Sequence, residues 1–252
     1  MQRVLKNFIF YGVLLAVWAY IAHLKVWPPY LFPAPKDVLL SLHDGFADRS
    51  FWIAIAVSMK RVGLGYLISV ALGLLLALLL ATSTFLDETL GPLLTSLQNL
   101  PSICWLPLAL LWFGLSENAI YFVIIMGSTP SITMAVESGL RSMPPIYPMA
   151  GRNLGASGVK LFLYVLLPAS LPHVLAGLKQ CWAFAWRALF SAEMLYVTLG
   201  LGQQLMMGRD LNDMSQVLAV MLLVLLLGLA VNLVVFRTLQ RALARRWGLV
   251  EA

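Results

Sequence analysis

Residues 57–81 read VSMKRVGLGYLISVALGLLLALLLA. A helix needs about 20 predominantly apolar residues to cross the hydrocarbon core of a bilayer, and this run supplies them. Five more runs of similar character follow the same rule: Phe8–His23, Pro92–Gly114, Ala119–Val136, Leu171–Leu195 and Gln216–Phe236. Of the 252 residues, 61% are hydrophobic and only 11% charged, which excludes a water-soluble globular protein. In lipid only helices and closed barrels satisfy their own backbone, and these runs are too long and continuous for barrel strands. The expected fold is therefore all-α and integral to the membrane, with about six transmembrane helices in one domain over residues 1–252. The first span is an addition near 8–23 to a core over about 57–236.

Basic residues set the orientation. Arg3 and Lys6 precede the first run, and Arg237, Arg241, Arg245 and Arg246 follow the last. Arg141, Arg152 and Lys160 mark the interval between the fourth and fifth runs. The segments after the first and fifth runs mix signs instead, with Asp37, Asp44 and Asp48 in one and Asp210 and Asp213 in the other. The positive-inside rule then places both termini and the 139–168 interval in the cytoplasm, which an even number of spans also requires. Asp87 and Glu88 stand out as cytoplasmic acids with no basic partner in the sequence nearby. Topology accounts for the net charge of +6, so nucleic acid is not an expected partner. No small-residue cleavage site follows the first run, so it reads as an uncleaved span. Cys104 and Cys181 lie in or beside apolar runs, and neither their spacing nor that of the three histidines forms a metal site.

Prolines and small residues punctuate the runs. Pro28, Pro29, Pro33 and Pro35 keep the chain extended after the first span, and Pro35–Phe46 reads as a short amphipathic helix at the outer surface. Gly65, Ser69, Gly73, Ala77 and Ala81 recur every fourth residue, a stripe that lets another helix approach closely. Pro101 and Pro107 predict a kink within the third span. Ser128 and its neighbours can satisfy carbonyls that Pro130 frees in the fourth.

Between the fourth and fifth spans the sequence runs MAGRNLGASGVKLFLYVLLP, residues 149–168. Met149–Leu154 is helix-capable, Gly155 can end that helix in a left-handed conformation, and Ser157 can cap a second one from Gly158 to Leu167. A solvated loop has no use for Leu154, Leu161, Phe162 and Tyr164, so these apolar groups on a helix–turn–helix point to a docking surface.

This interval resembles the signature loop of the permease subunits of binding-protein-dependent ABC importers. That signature is E-A-A, three residues, G, nine residues, I-x-L-P. The chain agrees at Ala150, Gly155, Val165 (for Ile), Leu167 and Pro168, and departs at Met149 and Gly151, which stand for a glutamate and an alanine. LFPAPKDVLLSL, SMKRVGLGY, NLPSICWLPLALLWFGL and AWRALFSAEML are similar to the branch that imports nitrate, sulfonates and taurine. The resemblance implies a type I importer bundle in a bacterial inner membrane, with a coupling loop comprising Met149, Ala150, Gly151, Arg152, Asn153, Leu154, Gly155, Ala156, Ser157, Phe162 and Pro168. It implies two copies of a separate ATPase subunit, a second permease chain forming a homodimer, and an extracytoplasmic solute-binding protein. This chain has no GxxxxGK[ST] phosphate loop, so ATP and magnesium belong to the partner, and the chain is expected to bind no cofactor and to be no enzyme.

Polar groups at membrane depth are the candidates for a pathway: Arg187, Glu193, Glu137, Asn99 and Ser128. Arg187 suits an anionic cargo. Glu193 lies six residues on and therefore on another helix face. Trp182 and Trp186 share a face and read as packing or interface anchors. Alternatives are a permease of the same fold for another metabolite, such as a pyrimidine or vitamin precursor, and a membrane-embedded enzyme. The enzyme would need a convergent nucleophile or metal set, which His23, His43 and His173 do not supply. A stand-alone channel or secondary transporter would not need the docking loop.

Overall fold

In the computed structural model, which describes residues 2–195 and 199–246, the apolar runs are helical, and no strand occurs among the described residues. Helix α1 covers Gln2–His23, α2 Pro35–Ala47, α3 Ser50–Thr82 and α4 Thr84–Gln98. A 3-10 turn at Ser102–Trp105 leads into α5, Leu106–Phe113, and α6 covers Glu117–Arg141. Then come α7 (Ile146–Asn153), α8 (Gly158–Leu161), a π-turn at Phe162–Leu166, α9 (Leu167–Ala169) and α10 (Leu171–Glu193). The chain closes with α11 (Leu201–Asp210), α12 (Met214–Val231), a second π-turn and α13 (Arg237–Arg246).

Three helical stretches are long and apolar enough to cross a membrane: Ser50–Thr82, Glu117–Arg141 and Met214–Arg245. Two bent pairs bring the number to five, and Phe8–His23 is a shorter apolar helix. The expected single span Pro92–Gly114 is not one continuous helix. It is broken into α4 and the 102–113 segment, which meet at 106°. Pro101 causes the break, because it lacks an N–H and drives Leu100 away from helical geometry. Pro107 causes none, since it lies in the first turn of α5, where no N–H is required. Pro168, just past the expected helix end at Leu167, does not stop the helix. It sits in the first turn of α9, the helical run continues to Ala169, and α10 then departs at 82°.

The residues group into two compact units. In the first, Met1–Ser58 with Val197–Leu227, α2 forms where the sequence suggests, but the chain before it is not extended as expected: the Leu31 and Phe32 N–H groups turn back onto the Pro28 carbonyl at 2.9 and 3.1 Å. The Asp37 carboxylate accepts the Ala34 N–H at 3.1 Å. Gly45 leaves room for the Phe51 ring, where an added Cβ would come within 2.5 Å of Cε2. The Ser58 hydroxyl oxygen accepts the Leu201 N–H at 2.9 Å.

The second unit, Met59–Tyr196 with Gly228–Ala252, is built around α6 packed on α10. Ile120, Val123 and Ile124 of α6 bury against Ala185, Ala188 and Leu189 of α10. The small-residue stripe on α3 makes this packing close. Gly65 abuts Ile124, Ser69 faces Ser128, and the Gly73 carbonyl accepts the Thr133 hydroxyl at 3.3 Å. Buried Ala77 continues the stripe, but Ala81 is exposed and lies outside it. Trp182 and Trp186 stack at 5.9 Å and pack on the same core, so their role is packing.

Candidate functional site

The 149–168 interval folds as its glycines dictate. Helix α7 stops because Gly155 takes φ of +83°, a conformation that costs a residue with a Cβ about 1–2 kcal/mol. Two hydrogen bonds complete the stop: Ala156 N–H to Gly151 O at 3.0 Å and Gly155 N–H to Arg152 O at 2.9 Å. That pair is a Schellman closure. Ser157 starts α8 with its carbonyl, which accepts the Lys160 N–H at 3.1 Å, while its side chain makes no capping bond.

The turn presents its apolar groups unevenly. Leu154 at the tip is 88% exposed and Met149 is 61% exposed. Ile146, Val159, Leu163 and Tyr164 are exposed as well. Ala150, Arg152, Asn153, Gly155, Ser157 and Pro168 also face outward, and Ala156 is half-buried. Leu161 and Phe162 do not belong to this surface, contrary to expectation. Phe162 buries against Ala77, Ile132, Val136 and Val174 and so anchors the loop to the bundle. Gly151 is part of the same anchor, because a Cβ there would lie 2.6 Å from Leu161 Cδ1 and 3.0 Å from Val165 Cγ2. The departure from alanine at Gly151 therefore has a packing reason. The departure at Met149 places an apolar group on the exposed face.

The helix that feeds this loop is tied to the bundle by charge. Arg141 Nη2 donates to both Asp87 oxygens at 2.8 Å, and the same guanidinium pairs with Glu137 one turn back. Asp87 thus has a basic partner that lies 54 positions away in sequence. Glu137 is committed to this cluster.

At the other end of α6 is a charged centre that the sequence reading overlooked. Arg61 of α3 is 2% exposed; its Nη1 donates to Glu193 at 3.0 Å and its Nη2 to Glu117 at 3.0 Å. Glu193, at the end of α10, is 1% exposed, whereas the Glu117 side chain is 52% exposed. Glu193 is accordingly held by a guanidinium and joins three helices. A signal for Arg61 existed. It lies four residues before Gly65, so the stripe of close packing, extended one turn backwards, lands on it.

The remaining pathway candidates separate by environment. Ser128 is fully buried, its hydroxyl 2.6 Å from the Ile124 carbonyl and 2.9 Å from Ser69 Oγ. It is structural glue between α3 and α6. Asn99 is exposed at the break after α4. Arg187 is exposed on α10; its Nε donates to Ala183 O at 3.2 Å and its guanidinium carbon lies 4.6 Å above the Phe184 ring. Glu193 does not reach it, as the six-residue offset requires. Among the described residues no group of three potential metal ligands comes together, and His173 is 3.4 Å from the Ser142 hydroxyl.

Comparison with known proteins agrees with this arrangement. A family model described as binding-protein-dependent transport system inner membrane component matches residues 69–248. The taurine transport system permease protein TauC of Escherichia coli (strain K12) is 29% identical over 95% of this chain and 89% of its own length. The nitrate import permease protein NrtB of Leptolyngbya laminosa is also 29% identical, over 93% and 86% respectively. Among solved structures, an amino acid ABC transporter crystallised with histidines superposes with a TM-score of 0.63 at 17% identity, covering 81% of this chain and 97% of that one. The MetNI methionine ABC transporter in an inward-facing conformation gives 0.59 at 20% identity, over 77% and 94%. At these identities the structural likeness establishes the fold alone.

Proposed function

This chain belongs to the family of binding-protein-dependent transport system inner membrane components, and from that membership we propose that it forms the membrane pathway for a small oxyanion such as nitrate or a sulfonate. The chain is a multi-pass permease component of an ABC importer and no enzyme. In our reading a separate ATPase subunit, present twice, hydrolyses ATP with magnesium. A second copy of this chain completes the pathway, and an extracytoplasmic binding protein delivers the solute. Both termini and the 149–168 loop lie in the cytoplasm.

One observation carries the reading: the α7–α8 turn, closed by Gly155 and rooted by Phe162, holds Leu154 and Met149 out of the bundle. An apolar tip on a rigid base is what a moving partner can grip and pull. With Met149 where the family carries an acid, the grip here is mainly by packing. Arg187 is the pathway cation that suits an oxyanion, and the relatives' cargoes, taurine and nitrate, support that class.

The test is reconstitution of the permease with its ATPase and binding protein in vesicles. Uptake of labelled nitrate, taurine and ethanesulfonate is measured with and without ATP and the binding protein. Uptake of one of them is expected to require both. Leu154→Asp is expected to lower ATP-driven uptake at least tenfold, because an ionised carboxylate at the tip removes apolar contact and costs more to desolvate than the about 1–3 kcal/mol of a neutral polar group. Full uptake by Leu154→Asp would overturn the coupling role.

A further inference from the structure

Helix α10 carries a second cation on the same exposed face as Arg187. Lys179, Ala183 and Arg187 follow at four-residue steps, all three are exposed, and Ala176 and Gln180 lie beside them. Eight residues of helix separate the two charges by about 12 Å along the axis. Among the described residues neither cation has a carboxylate within ion-pair distance; the carboxylates of this unit that pair are committed to Arg61 and Arg141.

Other exposed helix faces look different. Between Leu64 and Leu79 the outward positions of α3 include Leu64, Leu67, Ile68, Leu72, Leu75 and Leu79, with no charge among them. That is a surface suited to lipid. Two cations without counter-charges, flanking the middle of a 23-residue helix, are not. Long basic side chains near helix ends can reach the interface, but these two bracket the mid-depth of α10 and are joined by small and amide side chains.

Resting on the importer reading above, we propose that the Lys179–Ala183–Arg187 face of α10 lines an aqueous lane and selects the small oxyanion by charge. Fixed positive groups in a narrow space with low-dielectric walls concentrate anions and repel cations. Two such groups offer successive resting points, and the absence of a carboxylate on the face leaves nothing to compete with the cargo. Ala183 keeps the space between them open. Arg61 cannot serve this purpose, since two carboxylates already hold it.

The lane is tested with the complete transporter in vesicles, carrying Ala183→Cys in a Cys104→Ser background, because Cys104 is the exposed native thiol and Cys181 is buried. The probes are the anionic sulfonatoethyl and the cationic trimethylammonioethyl methanethiosulfonates, with rates normalised to a free thiol. The anionic reagent is expected to react about tenfold faster, and Lys179→Gln with Arg187→Gln should erase most of that preference. Gln180→Cys repeats the measurement where Ala183→Cys fails to insert. Equal rates for the two reagents, a preference unmoved by neutralisation, or reaction with only a lipid-soluble maleimide would each overturn the lane. ATP- and binding-protein-dependent nitrate or ethanesulfonate uptake in the same vesicles separates the two readings. Uptake without charge preference sinks the lane alone, and charge preference without dependent uptake of any oxyanion sinks the importer reading and leaves the lane.

Discussion

Arg61 of α3 and Arg187 of α10 belong to one unit, and the fold handles their charges in opposite ways. Arg61 is buried between Glu193 and Glu117 and links α3, α6 and α10. Arg187 lies on the outward face of α10 with only its own helix for company. Burying a charge is tolerable when opposite charges and hydrogen bonds replace water, and the result is architecture. A charge left exposed at membrane depth needs water or a ligand to meet it, which is the role proposed for Arg187. The cytoplasmic loop repeats the contrast in apolar terms, with Phe162 and Leu161 packed inward and Leu154 projecting outward.

The sharpest way to break the comparison is to remove Arg61. Arg61→Met leaves the Glu193 carboxylate in the interior without its guanidinium, a change that costs about 3–5 kcal/mol in buried pairs. Thermal unfolding of the purified protein in detergent should show it as a large drop in midpoint or as failure to accumulate. Arg61→Met with Glu193→Gln should recover more than half of the loss, because the amide carries no charge. If the single change is as mild as a surface substitution, Arg61 is not the structural centre described here.

Much of this contrast could not be read from the chain alone. The hydrophobic runs declare helices because length and composition suffice for that, and Gly155 declares its turn because few other residues accept a φ of +83°. The α3 stripe from Gly65 to Ala77 was legible because small residues at fourth positions share a face. Charge pairing was not legible. Arg61 meets a carboxylate 132 positions away and Arg141 one 54 positions away, so no local pattern announces either. Identical residue types in similar apolar settings then differ only in what the tertiary fold brings to them. The break at Pro101 was half legible: a proline predicts a disturbance, but the 106° turn depends on what α4 and α5 pack against.

A smaller effect is expected at the third member of the buried centre. Glu117 accepts from Arg61 at 3.0 Å, as Glu193 does, yet its side chain is 52% exposed. Water screens it and solvates it well when the pair is broken. Glu117→Gln should therefore cost about 0–1 kcal/mol, the range of exposed ion pairs, and the cost should shrink as salt is added. The measurement is made on the isolated chain and on the assembled transporter: a loss in the isolated chain as large as that of Arg61→Met would break the distinction between the two carboxylates, and a large loss only on assembly would mean that a partner surface covers Glu117.

The smallest stability change belongs to Arg187, and its smallness is what distinguishes the two cations. Nothing in the bundle depends on its charge: the Nε contact is to its own helix and the ring contact to Phe184 is local. Arg187→Gln removes the charge and keeps a polar N–H donor on an exposed face, so unfolding should move by less than about 0.5 kcal/mol, as for substitutions away from buried networks. Transport should respond in the other direction, with oxyanion uptake reduced while the thermal midpoint stays fixed. A residue that held the fold would lose both together. The separation of the two readouts at Arg187, set against their joint loss at Arg61, is therefore the measurement that assigns one guanidinium to the structure and the other to the solute.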